Sequence, residues 1–529
     1  MEDLQGTDDM PPDDDAGPDQ HPAQPPGDSA TSSDSATSSD SATSSDSATS
    51  SDSATSSEGA TPDDRAASSD RATPDDRAAP GDRATSGEGA APDDRAAPSD
   101  RAVSGGWVAD GGDVAVGRAG AGWALVVLGV VIVAVVAFTT PWRVMPSGAP
   151  TVAPDPARDF SAAEIARAAA FDAATSLPGY LSLGLTVLFA GLLVLTPFGA
   201  KVLGRLPGPW WVRVVLGVVV LTAIVEAIRW PLGIWYEVRL RDYGLSTQDW
   251  AGWTGDRLKS LAVNVVLQSI MVLVVVALAR WLRRWWIPAA AGAFAFTLAA
   301  SFVYPVVFEP LFNDFRPMPG GALRANLMML AERAHVPVED VLIADASRRT
   351  NALNAYVSGF GATRRIVVYD TLLKAPQSEV ELVVAHELGH AKYGDVLVGT
   401  LVGGLGAAFG TILLFLLLGL LRRRTGIASA ADPRAVGVIM GLMSLATVVS
   451  GPAQNVVSRH IEARADLHAL NLTKDPATFI SMQKRLAITN ISDLSPDPVE
   501  YALYASHPAG PERIAMAREW AALNGRQQP

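Results

Sequence analysis

The chain contains no cysteine, which excludes disulfide bridges, thiolate metal ligands and thiol nucleophiles. Histidine is scarce, at seven in 529 residues, so any histidine-based metal site has few candidates to draw on. Charge is thin as well: 18% of residues are charged against 48% hydrophobic, below the ~25% charged of an ordinary soluble domain. What charge exists is unevenly placed. Residues 1–101 hold 24 acidic and 6 basic residues, and the rest of the chain holds 31 acidic and 36 basic. The overall net charge of −13 therefore belongs to the first hundred residues, and the remainder is net basic.

That first stretch repeats "SATSSD" over residues 29–57 and then continues a six-residue rhythm through Arg65, Arg71, Arg77, Arg83, Arg95 and Arg101. Repeats that stack into a solenoid need recurring large apolar residues, and only alanine recurs here. Without apolar surface to offset the entropy of ordering, residues 1–106 are expected to form a disordered acidic tail.

Beyond the tail the pattern inverts. "AGWALVVLGVVIVAVVAFTT" (121–140) is an unbroken apolar run of bilayer-spanning length. It lies too far into the chain for a cleavable signal peptide. Similar runs follow near 180–198, 212–236, 261–281, 287–308, 396–421 and 435–455. One such run could be a buried core helix, but a series of this kind predicts about seven transmembrane helices. Glu226 and Arg229 fall inside the third. Ionisable groups at membrane depth are costly unless they pair with each other or line a polar chamber.

The runs divide the chain into five parts: the tail, a membrane region at 107–308 with five helices, a soluble insert at 309–395, two further membrane helices at 396–457, and a C-terminal helical part at 458–529. Within the insert, "GGALRANLMMLAERAHV" has helical apolar spacing and "DVLIADA" reads as a strand. "NALNAYVSGFGATRRIVVYDTLL" reads as a pair of strands around Gly359 and Gly361. "PQSEVELVVAHELGHAKYGD" reads as a helix, with Ser378 and Glu381 spaced as a capping box.

That last helix carries His386, Glu387 and His390 in the order His-Glu-x-x-His. The four-residue spacing puts both imidazoles on one helical face, within reach of a single zinc ion, and leans Glu387 toward the open position as a base. Histidines that merely pack are the bland alternative. "SRHIEARADLHAL" (458–470) supplies Glu462 and Asp466, one turn apart on a shared face, with His460 pointing elsewhere. Glu462 suits a third metal ligand and Asp466 suits a hydrogen-bond partner for a ligand imidazole. Taken alone, the segment would pass for an ordinary charged helix. His507 and Arg513, in "YASHPAGPERIAMA", could donate to an oxyanion, although His507-Pro508 reads more simply as a helix-entry turn.

Together these segments resemble the membrane zinc metallopeptidases that include the Ste24-type CAAX prenyl proteases. The likeness runs from about residue 120 to 525. "HELGH" with "EARAD" matches the wider family pattern; "YGLSTQDWAGWTGDRLK", "EPLFNDFRPM", "NAYVSGF", "IVVYDTLL" and "SHPAGPERI" look specifically Ste24-like. The resemblance implies an α-helical multi-pass membrane protein with an α+β zincin-type (gluzincin) insert. It implies one Zn2+ per chain held by His386, His390 and Glu462, with Glu387 as catalytic base and Asp466 supporting the ligands. By the same resemblance His507 and Arg513 form a transition-state pair, and Asn354, Ala355 and Tyr356 hold substrate as an added strand. It further implies a helical chamber, a peptide or protein substrate that is lipidated or otherwise membrane-associated, and residence in the cell membrane.

Two features depart from the family. The acidic tail is no part of its pattern. The loops at 199–213 (Lys201, Arg205, Arg213), 280–286 (Arg280, Arg283, Arg284) and 422–434 (Arg422, Arg423, Arg424, Arg434) are strongly basic. The positive-inside rule faces them to the cytoplasm and the catalytic insert outward, whereas eukaryotic relatives work on the cytosolic side. Orientation stays open, with the charge rule slightly preferred. Two other functions remain in view: an HtpX-like quality-control protease indifferent to lipid, and a non-catalytic membrane scaffold with a structural zinc. Nothing points to nucleic acid, because the basic residues cluster at membrane borders, and the sequence specifies no oligomeric state.

Overall fold

The computed structural model describes residues 111–527; the expected disordered tail at 1–106 lies outside them. Fourteen helices follow in order: α1 (Gly111–Thr139), α2 (Pro156–Asp159), α3 (Ala162–Leu195), α4 (Phe198–Leu203), α5 (Trp210–Asp242), α6 (Trp250–Trp281), α7 (Trp286–Val303), α8 (Ala322–Ala334), α9 (Gln377–Tyr393), α10 (Asp395–Thr425), α11 (Val436–Thr473), α12 (Pro476–Asn490), α13 (Pro498–Tyr504) and α14 (Gly510–Leu523). Seven of the helical segments are long and apolar enough to cross a membrane, as the hydropathy predicts. These are α1, α3, α5, α6, α7, α10 and α11, the α7 span running on through residue 311 and the α11 span starting at Pro433.

The membrane helices form a closed ring. From α3 the contacts pass to α5, α6, α7, α10 and α11, and α11 returns to α3; α1 packs on α10. One end of this ring is solid. There Leu193, Leu203, Val214, Leu221, Val276, Trp285, Val436 and Ile439 form a continuous core. Toward the other end the packing loosens: neighbouring helices still touch, as Arg229 on α5 and Ser182 on α3 do, but no core fills the ring. Residues 179–189 of α3, 223–236 of α5, 250–268 of α6, 395–403 of α10 and 442–454 of α11 include no buried position. A second core closes this splayed end, built from the insert, α12 and α14 and reaching Phe171 in the first turns of α3.

Between α7 and α9 the insert forms a small mixed sheet of order β1-β2-β4-β3. Its strands are β1 (Phe315–Pro317), β2 (Asp340–Ala344), β3 (Ala355–Ser358) and β4 (Arg365–Tyr369). β4 is buried along Ile366, Val367 and Val368, which is why it reads as an apolar run and sits centrally, parallel to β2 and antiparallel to β3. β1 pairs antiparallel with β2; with only three residues, it carries no alternation that the sequence could announce. β3 lies at the sheet edge, with α9 packed against it.

One local expectation fails. α9 starts at Gln377, with Pro376 as N-cap and no side-chain cap bond. Ser378 is thus already inside the helix, and Glu381 instead accepts hydrogen bonds from Asn326 and Gln377. A proline before the helix fixes the entry by itself. The same Ser-x-x-Glu spacing does form a capping box at Ser161 and Glu164, where α3 begins.

Candidate active site

α9 brings one face of its last turns against α11, and Gly389 permits the approach. A β-carbon at Gly389 would lie 3.1 Å from the Ala465 Cα and 3.2 Å from the His468 Cβ. Leu382, Val384 and Leu388 on α9 are buried in the second core, each contributing about 1.5–3 kcal/mol by burial. The helix is therefore seated firmly where its histidines meet α11.

At that junction His386 Nε2 lies 3.1 Å from Glu462 Oε2 and 3.1 Å from His390 Nε2. His390 Nε2 is 3.4 Å from Glu462 Oε1. The opposite ring nitrogens are each held by a carboxylate: His386 Nδ1 is 2.8 Å from Asp466 Oδ1, and His390 Nδ1 is 2.9 Å from Asp395 Oδ2. With each Nδ1–H donated to a carboxylate, both Nε2 lone pairs turn inward. Two bare Nε2 atoms cannot hydrogen-bond each other, so at this separation they suit a shared cation, and the Glu462 carboxylate completes a donor set of that character. Burial opposes charge on both imidazoles. Asp466 and Glu462 at His386, and chiefly Glu462 and Asp395 at His390, overcome it and hold both above the ordinary histidine value. The donor set attracts positive charge.

Glu387 offers an oxygen in the same cluster, where the ligand-type atoms of His386, Glu387 and His390 lie within 4.8 Å of one another. Burial pushes its carboxyl above the usual range, against the pull of His390 and His386. His507 approaches from the C-terminal part, its Nε2 3.3 Å from Glu462 Oε2 and its Nδ1 3.0 Å from the Ser506 hydroxyl. Its side chain keeps 43% of its surface open. Burial nevertheless holds the imidazole below the ordinary histidine value, against Glu462. Arg513 donates from Nε to Asp466 Oδ2 at 2.7 Å and from Nη2 to Oδ1 at 2.5 Å. Arg459 donates to the carbonyls of Tyr501 and Ala505 and not to Glu462, so the ordinary charged-helix alternative lacks its ion pair. His460 is turned to the Val456 carbonyl.

Asn354 precedes the edge strand and Ala355 and Tyr356 begin it. The Asn490 side chain clamps the segment, accepting from Leu353 N–H at 2.8 Å and donating to its carbonyl at 3.2 Å. Asn490 and Asp395 escaped the sequence analysis, as did Arg464, which pairs with Asp395. Asp395 had a signal: it follows the turn glycine Gly394, whose φ of +69° ends α9 and opens α10. Asn490 had none.

Comparison with known proteins places the chain. Residues 317–521 match the pattern of peptidase family M48, and residues 160–314 match that of the CAAX prenyl protease N-terminal region with five membrane helices. A Bacillus subtilis protein described as an uncharacterized metalloprotease, YhfN, is 33% identical over 313 residues, covering 57% of this chain and 72% of that one. A CAAX prenyl protease 1 homolog of Oryza sativa is 35% identical over 238 residues, covering 43% and 54%. CAAX prenyl protease 1 of Saccharomyces cerevisiae is 29% identical over 244 residues, covering 42% and 53%. The chain thus spans about half the length of these plant and yeast relatives. The crystal structure of S. mikatae Ste24p shares the fold, with a TM-score of 0.57 at 18% identity, over 74% of this chain and 98% of that one. The chain belongs to the M48 family of metalloproteases, in its Ste24-type, membrane-embedded branch.

Proposed function

We propose that the chain is a zinc-dependent endopeptidase that cleaves membrane-associated peptides at the splayed end of the helix ring, in the cell membrane. The observation that carries this reading is the convergence of His386 Nε2, His390 Nε2 and the Glu462 carboxylate. Two neutral imidazoles and one carboxylate suit a catalytic zinc with an open position. When bound, the ion polarises the scissile carbonyl and acidifies water.

The protein's own groups do the rest. Glu387 accepts a proton from the attacking water as its oxygen bonds to the carbonyl carbon. It then delivers that proton to the leaving nitrogen as the C–N bond breaks. Its raised proton affinity suits both halves of that task. His507, largely neutral, donates from Nε2 toward the developing oxyanion. Arg513 is committed through Nε and Nη2 to Asp466, so it reaches the oxyanion through Nη1 and also fixes the carboxylate that orients His386. Asn354, Ala355 and Tyr356 receive the peptide as a strand added to the free side of β3.

The test uses the full-length protein in detergent, loaded with zinc, and one peptide with and without a C-terminal prenyl group. Glu387→Gln should lower turnover by roughly 10²–10⁴-fold, the usual worth of a general base, while zinc content stays at one per chain. Cleavage favoured by the lipid supports a prenylated substrate; lipid-indifferent cleavage supports the quality-control variant of the same chemistry. Equal activity of wild type and Glu387→Gln would refute the catalytic assignment and leave a scaffold.

A further inference from the structure

Three charged side chains stand in the splayed part of the ring, unused by the chemistry above. Glu226 and Arg229 lie midway along α5, and Arg257 lies on the neighbouring α6. Arg229 Nη1 is 3.8 Å from Glu226 Oε1, and Arg257 Nη2 is 3.6 Å from Glu226 Oε2. Both are ion-pair separations without a hydrogen bond. Arg229 makes one hydrogen bond, from Nε to Ser182 Oγ on α3 at 2.9 Å. Arg257 makes none among the described residues. Two guanidinium groups thus share one carboxylate and leave most of their donors unspent, with a net charge of +1.

Such an arrangement is expensive inside a membrane unless the donors find a partner. A purely structural network would show the opposite pattern, with close bidentate contacts like those of Arg513 on Asp466. The two arginine side chains are 37% and 36% exposed and Glu226 is 20% exposed. They sit where α3, α5 and α6 bury nothing. Their contacts bridge α3, α5 and α6, which sets them along helix interfaces of the ring. Gly233 lies beside both groups: a β-carbon added there would lie 3.4 Å from the Arg257 guanidinium and 4.0 Å from Trp253. Trp230 and Trp253, edge to face at 5.7 Å, give the pair an apolar flank.

We infer that Arg229 and Arg257 form a monoanion site that takes the free C-terminal carboxylate of a substrate peptide. The inference rests on the endopeptidase reading above. A carboxylate matches the net charge of +1 and the two forks, and the indole flank suits the apolar side chain of a terminal residue. Occupancy of the site would anchor the C-terminal end of a peptide whose scissile bond lies at the zinc site.

The experiment measures binding and cleavage separately, on the full-length zinc-loaded protein in detergent. The probes are a fluorescent peptide with a free C-terminal carboxylate and its C-terminal amide. Binding is read on Glu387→Gln, so it does not depend on turnover. The carboxylate form should bind about 10-fold or more tightly than the amide, as expected for a charge-assisted contact. Adding Arg257→Gln or Arg229→Gln should reduce that preference to within about twofold, and adding Glu226→Gln, which raises the net charge, should enlarge it. In the otherwise wild-type enzyme Arg257→Gln should raise KM more for the carboxylate peptide than for the amide. Equal binding of the two peptides would overturn the proposal even if both are cleaved. A peptide preference that survives both arginine substitutions, while those substitutions abolish tighter binding of anionic than zwitterionic lipid, would also overturn it, assigning the arginines to a lipid headgroup. If neither peptide is cleaved but the carboxylate preference in binding persists and needs the arginines, the site stands and the endopeptidase reading falls.

Discussion

Each imidazole of the metal pair is held by its own carboxylate, Asp466 on His386 and Asp395 on His390, and each carboxylate is held by its own arginine, Arg513 and Arg464. Such outer partners keep the bare nitrogen aimed and raise its basicity. The cost is competition from protons. Both histidines hold protons above the ordinary value when no metal neutralises the site, and a metal needs both Nε2 atoms deprotonated. The affinity for zinc should therefore begin to weaken, as pH falls, at a value above the ~6.5 of a free histidine, and the zinc Kd measured across a pH series will show it. A Kd that starts to rise only below that value would mean that the carboxylates do not act on the imidazoles as the distances imply. Most of this site was legible at residue scale because His-Glu-x-x-His and Glu-x-x-x-Asp are set by helix geometry. Asp395 was missed, because its contact with His390 depends on the turn at Gly394, which the glycine marks but no helical spacing encodes.

At the scale of elements, the contact between α9 and α11 decides whether Glu462 reaches the histidines. Gly389 lets the helices meet, since backbone opposes any added β-carbon at 3.1 Å and cannot rotate away. Gly389→Ala should cost about 1–3 kcal/mol by overpacking, and the displacement should fall on the ligand geometry rather than on the remote core. The expected outcome is a modest loss of melting temperature with a disproportionate loss of zinc per folded chain. An unchanged zinc content would show that the helices can part without disturbing the ligands. The glycine stands in plain view in "HELGH", but its partner Ala465 is 76 positions away, so the need for it appears only once α11 is in place. The capping boxes teach the same limit from the other side. Ser161 and Glu164 form one and Ser378 and Glu381 do not, because the proline before α9 sets the first turn two residues earlier.

For the molecule as a whole, the seven spans order the chain's charge across the membrane. The loops between α3 and α5, α6 and α7, and α10 and α11 meet at the solid end of the ring: Arg280 donates to the Ala431 carbonyl, and the Arg434 side chain packs beside Gly204. The basic segments 199–213, 280–286 and 422–434 contain a single acid, Asp432, and Trp210 and Trp281 stack edge to face among them as an interfacial anchor would. The candidate metal site lies at the other end, with the insert and the C-terminal helices. Hydropathy made the spans legible, and alternation of the basic loops made their common face legible; the ring and its splayed half were not, because they depend on which helix neighbours which. The charge rule then predicts that the active site faces away from the cytoplasm. The absence of cysteine makes this directly measurable, because any cysteine introduced will be the chain's sole thiol. Gly320 and Ser429 are exposed at opposite ends, and a side chain at Gly320 meets nothing within 4 Å. On intact cells a membrane-impermeant maleimide should label Gly320→Cys, and should label Ser429→Cys only after lysis. The reverse pattern would put the catalytic end in the cytoplasm and show that the basic loops answer to something other than insertion, such as anionic headgroups held against the packed end of the ring.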